Sequence, residues 1–183
     1  MTPYTGPIPG DIGFARTKLS RNGLSIAGVM GWLIRLGEWL RFRRCKVNHQ
    51  FVVERVVDGV PYVIQATMRG VTDTARLDEV APGGEVITMA PPKCVDREKL
   101  LEFCRSKVGL EYGYLTDLAI AIDTVTWQWV PAFRGARKES WQCAALINQG
   151  MLYAGWLHDW LDIYTIFPEQ GYDALLAALA NGE

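Results

Sequence analysis

From Val47 to Met68 the chain reads VNHQFVVERVV, the pair Asp58-Gly59, and VPYVIQATM: two runs rich in β-branched and aromatic residues around a tight-turn signal. That pattern predicts an antiparallel hairpin. Counting pairs outward from the turn sets His49 opposite Met68, so a contact between His49 and Gln65 requires a bulge or a longer turn. Upstream, the Pro9-Gly10-Asp11 turn leads into a short strand, IGFART, and downstream Pro82-Gly83-Gly84 precedes a further strand, Glu85 to Ala90, which Pro91 and Pro92 stop. Elsewhere the apolar spacing is helical. Ile26, Met30, Leu33, Leu36 and Leu40 mark a helix from about Leu24 to Phe42. Asp96 reads as the N-cap of a helix that ends at Gly109, with Leu100, Leu101, Phe103, Cys104 and Val108 on its apolar side. A helix near Tyr114 to Thr124 precedes a Trp-rich connection (Trp127, Trp129, Pro131, Phe133). Another runs from Cys143 to about Gly155, and an amphipathic helix near Tyr172 to Leu179 closes the chain. Together these elements predict an α+β domain over residues 1–183.

Composition narrows the function. Of 183 residues 49% are hydrophobic and 21% charged, enough apolar material for one core and too little charge for a disordered chain. A net charge of −1 gives no reason to expect nucleic acid as a partner, and the local cluster Arg41, Arg43, Arg44 and Lys46 reads as a solvated face. The opening MTPYTGPIPGDIGFARTK lacks the basic region and unbroken apolar run of a secretory signal, so cytoplasmic synthesis without a signal peptide is expected. Arg35 and Glu38 interrupt Leu24 to Leu40, which makes it a poor spanning helix. Packing on the sheet, or lying on a membrane surface, suits it better. Cys45, Cys94, Cys104 and Cys143 are scattered and form no CxxC pair, so reduced thiols are expected, with no metal and no cofactor.

Cys143 stands out because it follows Ser140, Trp141 and Gln142 and opens an apolar helix. At a helix N-terminus the unpaired N–H groups and the positive end of the dipole favour a thiolate, the form that attacks carbonyl carbon. The competing reading is a small buried hydrophobe. Thiol catalysis also needs an imidazole and a group to orient it, and the chain has two histidines. His49 opens the first hairpin strand, with Gln65 on the returning one. His158 lies about four helical turns beyond Cys143 if that helix continues, too far to share its proton.

In order, PGDIGF (Pro9 to Phe14), NHQFVV (Asn48 to Val53), VIQATMRGV (Val63 to Val71), GLEYGY (Gly109 to Tyr114), WQCAALI (Trp141 to Ile147) and FPEQ (Phe167 to Gln170) span nearly the whole chain. In this order the chain resembles the circularly permuted papain-fold hydrolases, the YiiX-like branch of the NlpC-type superfamily. The resemblance implies a papain-like antiparallel sheet packed against helices, with the nucleophile helix late in the chain and a helical insertion at about 18–46. It implies Cys143 as nucleophile, His49 as base and then acid, and Gln65 as the orienting residue. Gly10 and Asp11 would be a structural signature, and Tyr112 would line the cleft. Two departures are visible: Gln65 stands where an acidic residue or histidine is often found, and the insertion separates the Gly-Asp strand from His49. The oxyanion would be held by the Cys143 N–H and the Gln142 amide. Trp141, with Trp156 and Trp160, forms either a substrate wall or core. The implied activity is hydrolysis of an amide or peptide bond, with peptidoglycan among the substrates. Lipid acyl chemistry on the same scaffold, or a non-catalytic part in a larger assembly such as a phage tail, are the alternatives.

Overall fold

The computed structural model describes residues 6–16, 46–67, 69–111, 141–158 and 166–182. The expected helices near Leu24 to Phe42 and Tyr114 to Thr124, the Trp-rich connection and Tyr112 lie outside the described residues. The hairpin forms as expected, β2 (His49–Val57) turning through Asp58-Gly59 into β3 (Val60–Thr67). Both turn residues take positive φ, 51° and 78°, the conformation for which Asp-Gly is suited. Added to this pair are β1 (Ile12–Arg16), β4 (Gly70–Arg76) and β5 (Glu85–Met89), giving a five-stranded antiparallel sheet in the order β4-β3-β2-β1-β5. The fold class is α+β. Among the described residues four helices join the sheet: α1 (Leu77–Val80), α2 (Arg97–Arg105), α3 (Cys143–Tyr153) and α4 (Pro168–Ala180). None of them is long and apolar enough to cross a membrane.

Strand alternation separates two cores. On one face Ile12, Phe14, Val52, Ile64, Ala66 and Val71 meet Leu100 and Leu101 of α2, Leu146, Ile147 and Met151 of α3, and Leu175 of α4. On the other, Ala15, Phe51 and Val63 meet Val80 and Ala81 around the short α1. Helix α3 is buried nearly all round, which explains why its sequence, CAALINQGMLY, carries no charged residue. At Gly150 a Cβ would approach Leu100 Cδ1 to 2.8 Å, so glycine there lets α2 and α3 close together.

Gly13 meets a sharper constraint. A Cβ built there would fall inside the ring of Phe51, its partner on β2, so the fully buried Phe51 side chain lies across the bare backbone of β1. Gly13→Ala is expected to destabilise the fold by about 1–3 kcal/mol, the usual cost of overpacking a core. Urea unfolding with an unchanged m-value measures it, and a shift under ~0.5 kcal/mol would show that Phe51 relocates freely.

The register of β2 on β3 shifts between Val53 and Arg55. Glu54 stands at that irregularity, its buried carboxylate accepting from Arg105 Nε of α2 at 3.1 Å and pairing with Arg55. The extra residue moves the strand by one position, so that Phe51 faces Gln65. A straight count outward from the turn therefore misplaces His49 by one, and the bulge is what brings Gln65 toward it.

Candidate active site

His49 is the first residue of β2, on the same face as Phe51 two positions on, and Gln65 is the cross-strand partner of Phe51. Diagonal neighbours on one face of a sheet are within reach of long side chains. Here the Gln65 Oε1 and His49 Nε2 stand 2.8 Å apart. With the amide oxygen as acceptor, Nε2 carries the proton and Nδ1 keeps the lone pair, the tautomer a general base needs. On the other side of β2 the partner of His49 is Ala15, whose small side chain leaves the ring room. Burial pushes the His49 pKa below its ordinary 6.5, and the Gln65 hydrogen bond opposes that shift in part. The imidazole is thus neutral at neutral pH.

The chain leading into His49 is also fixed. Glu169, buried at the start of α4, accepts from the backbone N–H of Lys46 at 2.8 Å and of Val47 at 3.1 Å, and Asn48 N donates to Ala15 O at 2.9 Å. The first turn is held by other contacts: Gly10, at φ 86°, donates to Val53 O, while Asp11 pairs with Arg97 Nη1 at 2.8 Å. Gly10 and Asp11 therefore tie β1 to β2 and to the start of α2.

Cys143 is the first residue of α3 and Gln142 its N-cap, in extended conformation (φ −95°, ψ 160°) with no side-chain cap. The first N–H groups of a helix have no acceptor within the helix and point outward from its start. Which end of the sheet that start faces follows from α2. Its N-cap, Asp96, donates its N–H to Ala154 O just past the end of α3, while Phe103 packs edge-on against Trp141 at 5.7 Å between centroids. So α2 and α3 are antiparallel. Past the C-terminus of α2, Leu110 O accepts from Val71 N at 3.0 Å, at the start of β4 and beside the end of β3. That is the end where β2 begins. Cys143 and His49 therefore occupy the same end of the sheet. They lie on opposite faces of it, however: Cys143 packs in the core with Val52 and Ile64, whereas the His49 side chain shares the Phe51 face. The ring contacts of His49 among the described residues are Gln65 and Phe51.

Trp141 is part-buried against Phe103, with Lys107 Nζ 5.1 Å from its ring centroid, so it anchors the start of α3 to α2. Gln142 is 5% exposed and directly precedes the sulfur. His158 stacks on Trp156 at 4.8 Å, past the far end of α3 from Cys143. Of the other thiols among the described residues, Cys94 is exposed, and Cys104 is buried in the core with its pKa pushed up to about 12 by burial; Cys45 lies outside them. Among the described residues no three His, Cys, Asp or Glu side chains gather as a metal site. Three fully buried polar side chains were not legible in the sequence: Gln50, Asn148 and Glu169. Asn148 alone carried a signal, an amide within the mostly apolar run Cys143 to Leu152. No family model matches this chain, and comparisons with curated proteins and with solved structures likewise return no match.

Proposed function

We propose that this protein is a cysteine-dependent hydrolase of amide or peptide bonds, built on a circularly permuted papain-like scaffold, with Cys143, His49 and Gln65 as its triad. The observation that carries the reading is the 2.8 Å His49–Gln65 bond, which leaves Nδ1 as the base at the end of the sheet where the Cys143 helix starts. In this mechanism the sulfur meets the imidazole at the end of the sheet where β2 begins rather than across a sheet face. Nδ1 takes the Sγ proton and the thiolate adds to the substrate carbonyl. The oxyanion is held by the Cys143 N–H and the Gln142 amide. The imidazolium then protonates the leaving amine, giving a thioester. His49 next deprotonates a water that attacks the thioester, releasing the acid and restoring the thiol. A neutral amide suffices as orienter, because its task is to fix a tautomer. Peptides of peptidoglycan are the first substrates to assay.

Selective alkylation tests the nucleophile without knowledge of the substrate. Iodoacetamide at neutral pH is expected to modify Cys143, 7% exposed, at least roughly tenfold faster than the exposed Cys94, and to leave Cys104 untouched. Peptide mass analysis of the folded protein reads all three. If Cys143 reacts no faster than Cys94, the catalytic reading is lost.

A further inference from the structure

We propose that Gln50 and Asn148 form a positioning pair that holds the Cys143 helix in register with the strand carrying His49. The inference rests on the cysteine-hydrolase reading. Gln50 follows His49 in β2 and points to the opposite face, where Asn148 Nδ2 donates to its Oε1 at 3.1 Å. The same Nδ2 donates to Ala144 O at 2.8 Å, on the residue next to Cys143. A single amide therefore links the strand residue beside the base to the helix residue beside the nucleophile. The Ala144 carbonyl requires the Asn148 nitrogen on its side, and that nitrogen requires the Gln50 oxygen, so the two amides have one consistent orientation.

Two features argue that this link serves more than packing. Both side chains are fully buried, yet Gln50 Nε2 and Asn148 Oδ1 find no hydrogen-bond partner among the described residues. Leaving a buried donor and acceptor unanswered is costly, and apolar side chains of equal size would avoid that cost. Moreover, α4 closes over the pair at Gly171, where a Cβ would come within 2.8 Å of Gln50 Oε1 and 3.0 Å of Asn148 Nδ2. Bare backbone at that point leaves the amides undisturbed. A buried polar contact of this kind has one defined geometry, whereas an apolar contact slides. Sliding of α3 along β2 moves the sulfur relative to the ring.

The test compares the parent with the Gln50→Met, Asn148→Leu double variant. It reads the iodoacetamide rate of Cys143 relative to Cys94 in the same molecule across a range of pH, together with the melting temperature. The double variant is expected to melt no lower than the parent while the Cys143 preference falls ~10- to 100-fold and its pH profile becomes that of Cys94. If it does not fold, Gln50→Met alone, which keeps side-chain length and the Asn148–Ala144 bond, carries the same expectation. The swapped pair Gln50→Asn, Asn148→Gln re-forms an amide link and is expected to recover part of the preference. A variant that folds and keeps both the parent's preference and its pH profile overturns the positioning role. A parent whose Cys143 reacts like Cys94 overturns the hydrolase reading itself.

Discussion

Replacing Cys143 with alanine is expected to abolish amide hydrolysis, lowering turnover by at least about 10⁴-fold, while the protein stays folded. The size follows from what the substitution removes. Without sulfur there is no thioester path, and the helix-start N–H groups and bound-substrate orientation are left to act on water alone. Stability should change little, because the side chain loses one atom at the edge of the core, a cost of about 1 kcal/mol. Cys143 is the first residue of α3, and the packing of that helix rests on Leu146, Ile147 and Met151 farther along. Digestion of muropeptides followed by chromatography, with a thermal melt on the same samples, separates the two effects. Parent-like digestion by Cys143→Ala sinks the nucleophile assignment. Equal inactivity of parent and variant excludes this substrate and favours a scaffold role in an assembly.

How much of this was legible in the sequence depended on whether the signal was local. The Asp58-Gly59 hairpin, the Asp96 cap and the start of α3 at Cys143 are set by neighbouring residues, and the structure has them; Asp96 Oδ1 accepts from Glu98 N at 3.0 Å and Lys99 N at 3.2 Å. Strand β4 went unseen because GVTDTAR has few apolar residues and its pairing comes from β3. α4 begins four residues before the expected Tyr172, at Pro168, where a proline at the first helical position suits the missing N–H. The turn count showed that His49 could meet Gln65 only through a bulge or a longer turn, but neither the choice nor the position of the bulge was legible. At the bulge Glu54 meets Arg105 from a helix far along the chain, a tertiary contact with no local signature. Yet that shift decides whether Gln65 reaches His49. The candidate residues were therefore singled out by their chemistry and by resemblance, whereas the His49–Gln65 contact depends on long-range packing.

His49 should govern both the acid limb of activity and acid stability. The buried ring takes up a proton less readily than in the unfolded chain, where imidazole titrates near ~6.5. As pH falls below that value the unfolded state gains a proton that the folded state does not, so stability declines, by at most about 1.4 kcal/mol per pH unit, until the folded ring also titrates. Above ~6.5 this contribution is fully present. His49→Gln, which cannot titrate, is expected to flatten the decline in that window, as urea unfolding at several pH values will show. For catalysis, His49→Ala should cost ~10²- to 10⁴-fold by removing the base, with Cys143 losing its preference for iodoacetamide in parallel. The Gln65 bond raises the His49 pKa against the effect of burial. Gln65→Leu should therefore move the acid limb of the rate profile to still lower pH while slowing the reaction, because a ring more easily kept neutral is no longer held in one tautomer. A limb that stays in place or moves upward would mean that another group titrates there, and that the imidazole of His49 is not the base.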